Sequence, residues 1–177
     1  IEELKDNKIN LNYNISLGEK AKIKKISFIG EKIFKDKKLK GVILSEEYKP
    51  WKFLSGKKYL NESLIKYDER LLKNFYLNKG YYNVIVNSSF AKMTENQEFE
   101  LIFNIDANPK LFFGDLKIDL PSDFSETNYL DVKKFLKKLE NEPYSINRIE
   151  DIVEKIETIT INEQYESIQA NVNEEIV

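Results

Sequence analysis

The feature that most limits what this chain can fold into is an internal repeat. The stretch "INLNYNISLGEKAKIKKISFIG" (Ile9 to Gly30) superposes without a gap on "FELIFNIDANPKLFFGDLKIDL" (Phe99 to Leu120), a displacement of ninety positions. Leu11 falls on Leu101, Tyr13 on Phe103, Ile15 on Ile105, Ile26 on Leu116 and Phe28 on Ile118. The match continues through Phe34 on Phe124 and Val42 on Val132, then resumes five positions shorter at Tyr59 on Tyr144 and Leu64 on Ile149. Each copy has two alternating apolar segments joined by a short polar link, so two strands stand in tandem across each module junction.

The order within one period follows from local pattern. Ile23–Ile29 alternates and stops at Gly30, as a strand does. Asp36–Leu44 carries apolar residues at helical spacing with Asp36 placed to cap it. A loop containing Pro50 and Gly56 follows. Asn61 then caps a longer helix whose expected apolar face is Leu64, Tyr67, Leu71, Leu72 and Phe75, and Gly80 supplies a left-handed stop. A strand over Tyr82–Phe90, a polar turn around Thr94–Gln97 and a strand over Phe99–Asp106 complete the module. The expected order is strand, helix, helix, strand, strand. An antiparallel helix pair returns the chain to its start, so the first and third strands can pair only in parallel. This predicts an α+β unit, a mixed three-stranded sheet with both helices on one face.

The repeat phase predicts three pieces. Residues 1–19 hold the last strand of a preceding module, 20–108 a complete module, and 109–177 a following module that stops before its last strand. A stiff link is expected over Asp106–Lys110, with Pro109 restricting the crossing and Gly30 and Gly80 in structural roles.

Composition removes several function classes. There is no cysteine and no histidine, which excludes thiolate chemistry, zinc fingers and imidazole-based triads. Neighbouring acids such as Glu46-Glu47 and Glu174-Glu175 read as solvated charge with nothing converging on them. No enzyme, cofactor or metal is expected. The net charge of −2 leaves no global footprint for nucleic acid. A KH-type RNA module shares the element order, but its Gly-x-x-Gly loop is reduced here to Gly56.

One strand is unusual: "YYNVIVNSSF" (Tyr81–Phe90) contains no charge although 33% of the chain is charged. Tyr82, Val84 and Val86 are expected to face the helices, with Asn83, Ile85 and Asn87 on the other side. Trp51 reads either as an anchor for a partner or as a cap over the helix pair. Lys20, Lys22, Lys24 and Lys25 read as a solvated face, or as a contact for lipid headgroups or an acidic patch.

The segments "IKKISFIGEKIFKDKKL", "PWKFLSGKKY" and "FYLNKGYYNV" resemble POTRA domains, most closely those of outer-membrane protein assembly factors of the BamA family. The Pro50-Trp51 pair is similar to the third domain of such an array, which makes 1–19 the end of a second and 109–177 most of a fourth. The pattern departs from the family after strand one, where Gly30-Glu31 stands in place of Gly-Asn, and in "ETITINEQYESIQ", which lacks a Gly-Tyr. The resemblance implies sheet order one, three, two, with the second strand at an edge. It also implies a periplasmic array before a membrane β-barrel, which binds unfolded outer-membrane proteins and partner lipoproteins. The protein-binding edge is then Asn83, Val84, Ile85, Val86, Asn87 and Ser88, because an edge lacking lysine, proline or a bulge can take on an extra strand. A two-partner secretion pore or another barrel-linked translocator is the alternative machine.

Overall fold

The computed structural model describes residues 2–4, 8–10, 12–14, 20–51, 55–94, 96–122, 124–162 and 170–176. At the start of the chain, β1 (Glu2–Leu4) and β2 (Lys8–Asn10) form an antiparallel hairpin. The last strand of a preceding module, expected within residues 1–19, falls partly outside the described residues, and residues 12–14 join no ladder.

The middle module contains β3 (Lys22–Glu31), α1 (Asp36–Lys40), α2 (Glu62–Leu77), β4 (Ile85–Thr94) and β5 (Glu98–Asp106). The sheet order is β3-β5-β4, with β3 parallel and β4 antiparallel to β5, the mixed order one, three, two. Its core is a cluster that includes Ile23, Ile26, Phe28, Leu39, Leu72, Tyr76, Leu101, Phe103 and Ile105. The Phe28 and Phe103 rings stack at 5.6 Å across the parallel pair. Gly30 has φ +86°, and an added Cβ there would lie 2.5 Å from both Asn104 Oδ1 and the Ile105 carbonyl oxygen. The left-handed turn and the close approach both require glycine.

Several expectations shift by a residue or a face. Asp36 is the first helical residue of α1 rather than its cap, and Lys35 occupies the cap position. Asn61 does cap α2, its Oδ1 accepting the Leu64 N–H at 2.9 Å. The buried stripe of α2 is Ile65, Asp68, Leu72 and Tyr76, while Tyr67 is exposed. The rotation has a polar cause. Fully buried Asp68 accepts the N–H groups of Leu44 (2.6 Å) and Ser45 (3.1 Å), tying the chain after α1 down onto α2.

In the following module, α3 (Leu130–Leu139) and α4 (Ile146–Asn162) pack around Tyr129, Val132 and Leu136. The Tyr129 hydroxyl lies 2.9 Å from the Thr160 hydroxyl, which donates to the Ile156 carbonyl at 2.6 Å. Leu116, Ile118 and Leu120 alternate against this cluster as the repeat predicts, yet these residues form no ladder. Among the described residues the extended chain there has only one isolated bridge, Phe112 to Pro143. The segment "EQYESIQ" after α4 lies outside the described residues.

The two modules meet through the stop after α2. Gly80 has φ +94°, its carbonyl accepts the Leu111 N–H at 2.7 Å, and an added Cβ would fall 2.8 Å from Lys110 Cγ. Asn78 Oδ1 accepts the Asn147 N–H and the Ser145 hydroxyl, and Asn78 Nδ2 donates to Asn147 Oδ1, each at 2.9 Å. A residue at the end of one module's helix thus caps the start of the next module's α4. Asn108, at φ +56°, has its N–H on Asp106 Oδ1 (3.2 Å) and its amide on the Asn83 carbonyl (2.9 Å). Pro109 is exposed at the crossing.

Candidate protein-binding edge

A three-stranded sheet has two edges, and here they are treated differently. Along β3 the long loop between α1 and α2 closes the edge. The Ile26 N–H donates to Glu47 Oε1 at 3.1 Å, the Tyr48 N–H to the Ile23 carbonyl at 2.6 Å, and the Leu60 N–H to the Ala21 carbonyl at 2.9 Å. Lys22 forms an antiparallel bridge with Tyr59. Glu47, read from sequence as solvated, is therefore a guard. Burial pushes its carboxyl up, but Lys40 and the Ile26 N–H more than reverse this and hold it below the usual carboxylate range.

Along β4 no loop of the described residues covers the edge, but guards are present: the Glu69 carboxylate meets the Ser88 N–H, and Lys92 and a register shift between Lys92 and Thr94 lie at the far end of the strand. The strand begins at Ile85, three residues later than its pattern suggested, because Tyr82 and Asn83 form a turn after the Gly80 stop. Asn83 and Val84 therefore precede the edge strand and do not belong to it. Ile85, Val86, Asn87 and Ser88 do belong to it, and the strand extends four residues past Phe90, to Thr94. The alternation holds: Val84 is buried and Val86 packs on the core, while Asn83, Ile85 and Asn87 are exposed. Tyr82 departs from it. Its ring meets Tyr144 edge-on at 4.9 Å, and both hydroxyls donate to Glu174, at 2.9 and 3.1 Å. A residue expected in the middle core thus serves the joint, and Glu174 is a partner rather than solvated charge. Hydrogen bonding to Glu174 raises the Tyr82 hydroxyl above its ordinary value; burial and Glu174 raise that of Tyr144.

The hydrogen-bond register decides which main-chain groups of β4 are free. The Lys22 N–H donates to the Gln97 carbonyl at 2.8 Å, so the odd-numbered residues of β5 direct their backbone groups toward β3. The even-numbered residues then face β4, where Asn104 opposes Asn87 and Ile102 opposes Ser89. Odd residues of β4 are therefore bonded inside the sheet. The N–H and C=O groups of Val86, Ser88, Phe90 and Lys92 point outward. Glu69 of α2 lies beside Ser88. Burial raises its carboxyl, but Ser88 and Lys66 hold it below the usual range. Phe90 and Met93 are exposed on this strand, and the Phe90 ring contacts Phe99 edge-on at 6.0 Å.

Trp51 does not cap the helix pair. It is 72% exposed, with the Lys49 ammonium 5.9 Å from its ring. Of the basic cluster, Lys24 pairs with Glu98 at 3.0 Å and Lys25 with Glu100 at 2.8 Å across the β3–β5 ladder. Among the described residues no cluster of three or more acids is arranged to hold a metal ion, and no helix is long and apolar enough to cross a membrane.

Comparison with known proteins gives a consistent family. Residues 21–108 match the POTRA family model, described as surface antigen variable number repeat. The chain is 25% identical over 156 residues to the outer membrane protein assembly factor BamA of Buchnera aphidicola, covering 86% of this chain and 24% of that protein. It is 23% identical over 137 residues to BamA of Neisseria meningitidis, covering 77% and 17%. The chain thus spans about a quarter or less of the curated relatives it matches. Among solved structures, POTRA domains 3–5 of Haemophilus influenzae BamA align with a TM-score of 0.53 at 15% identity, covering 77% of this chain and 50% of that one.

Proposed function

The chain belongs to the POTRA family through residues 21–108, and from that premise we propose that it is part of the periplasmic array of an outer-membrane β-barrel assembly factor. In this reading residues 20–108 are the third domain of the array and 109–177 most of the fourth, in a full-length protein that carries its own C-terminal membrane barrel. The array receives unfolded outer-membrane proteins and holds partner lipoproteins; no nucleic acid is involved. Extended client segments add to the sheet along β4. The observation that carries this reading is the asymmetry of the edges: β3 is closed by the protein's own loop, whereas along β4 the Ser88 N–H meets the Glu69 carboxylate and the outward main-chain groups of Val86, Phe90 and Lys92 face away from the sheet.

Pairing through the backbone is nearly blind to client sequence. About four to six added hydrogen bonds, each worth about 0.5–1.5 kcal/mol before ordering costs, give a weak and reversible hold. A protein that must release its cargo needs no more.

Paired proline substitutions test the proposal. Phe90→Pro removes an outward N–H and Asn87→Pro an inward one. Titration with extended peptides from outer-membrane proteins, followed by chemical-shift mapping, should show wild-type shifts concentrated on Ile85–Met93. Phe90→Pro should fold and lose them. Equal binding by wild type and a folded Phe90→Pro protein would reject strand addition at this edge.

A further inference from the structure

The surface beside the guarded β3 edge has a chemistry of its own. Tyr48 and Tyr59 stand with ring centroids 6.5 Å apart. The Lys22 ammonium lies 5.2 Å from the Tyr48 ring and that of Lys20 lies 5.3 Å from the Tyr59 ring. Lys58, only 3% exposed, places its ammonium 5.2 and 5.6 Å from the two rings. Lys49 follows Tyr48 directly, and the exposed Trp51 sits in the turn that begins at Pro50. Of the nearby carboxylates, Glu98 pairs with Lys24, and Glu47 pairs with Lys40 while also attracting Lys49 at longer range. Among the described residues Lys20, Lys22, Lys49 and Lys57 have no ion-pair partner.

We propose that this face, formed by Lys20, Lys22, Tyr48, Lys49, Trp51 and Tyr59, docks on an anionic phospholipid surface. The choice of lipid over protein rests on residue type. The chain's two arginines, Arg70 and Arg148, lie elsewhere in the sequence, and lysine-rich patches are poor protein interfaces because fixing long flexible side chains against a rigid partner is costly. A fluid headgroup layer imposes no fixed geometry on them. It attracts each lysine by about fivefold in binding constant and accommodates indole and phenol rings at its boundary. Because the sheet order is β3-β5-β4, docking through the β3 side leaves the β4 edge uncovered. The proposal does not depend on strand addition.

Trp51 is the only tryptophan, so its emission reports on this surface directly. The 177-residue chain would be mixed with phosphatidylglycerol/phosphatidylethanolamine vesicles and, separately, with pure phosphatidylcholine vesicles. A blue shift and co-sedimentation are expected on the anionic vesicles only, and both should disappear at high salt. Lys22→Glu with Lys49→Glu should weaken binding by about twenty-fivefold or more. Trp51→Ala should weaken sedimentation with unchanged melting, and Lys117→Glu, exposed in the other module, should have little effect. No shift on anionic vesicles, or an equal shift on neutral ones, would overturn the proposal. A shift produced only by an acidic peptide would assign the face to a protein partner instead and overturn it as well.

Discussion

The middle and following modules share a repeated pattern but reach different degrees of closure. In the middle one, β3 lies against β5, and thirteen buried residues among those described form a continuous core. In the following one, Leu116, Ile118 and Leu120 alternate just as Ile26 and Phe28 do, yet they are half-buried and unpaired, and the buried cluster there is Tyr129, Val132 and Leu136. An amphipathic extended segment can lay its apolar side on a helix pair unaided. It becomes a strand of a sheet only when another strand satisfies its main-chain groups. The difference between the modules is thus the parallel neighbour, not the pattern.

The largest expected effect breaks the comparison at the cores. Phe103→Ala, at a fully buried ring stacked on Phe28, should cost about 3–5 kcal/mol. Leu116→Ala at a half-buried site should cost about 1–2 kcal/mol by area. Chemical denaturation of the two variants measures both, and equal costs would mean that the following module buries its extended segment as fully as the middle one does.

The joint provides a sharper test. Gly80→Ala must hold alanine at positive φ with its Cβ against Lys110 and the Leu111 carbonyl, so a loss of more than about 1 kcal/mol is expected, together with altered relative orientation of the modules by residual dipolar couplings. An unchanged melting temperature would show that the stop tolerates a side chain.

Asn78→Ala removes the cap from α4 while leaving the middle core untouched. A loss of about 1 kcal/mol confined to residues 109–177 is expected, read by hydrogen exchange of α4 amides. If protection falls equally in both modules, they unfold as one unit and the comparison fails.

The smallest effect is acid sensitivity at the guarded edge. The Glu47 carboxyl is depressed in the folded state, so its contribution is present above the unfolded value of about 4.3 and is lost as pH falls through the folded value. The fold should lose less than about 1 kcal/mol over that window, and Glu47→Gln should flatten this part of the pH profile. A profile unchanged by the substitution would mean that Glu47 does not hold the β3 edge.

The sequence by itself determined what depends on neighbours a few positions away. It set the period of the repeat, the Asn61 cap, the left-handed stop at Gly80, and the alternation that turns Val84 and Val86 toward the core while exposing Ile85 and Asn87. Where strand β4 begins was misjudged by three residues, because the turn after Gly80 continues through Asn83 and a charge-free alternating run does not mark that boundary. Tertiary structure alone decided the properties that require a distant partner. It rotated the buried face of α2, through Asp68 reaching the amides of Leu44 and Ser45, and took Tyr82 from the core to the joint with Tyr144 and Glu174. It left Trp51 in solvent and closed β3 with Glu47 and Tyr48, while among the described residues no loop covers β4 and only Glu69 meets its Ser88. A side chain's local periodicity says which way it points. Which hydrogen-bonding groups remain unsatisfied depends on every segment that folds back to meet them.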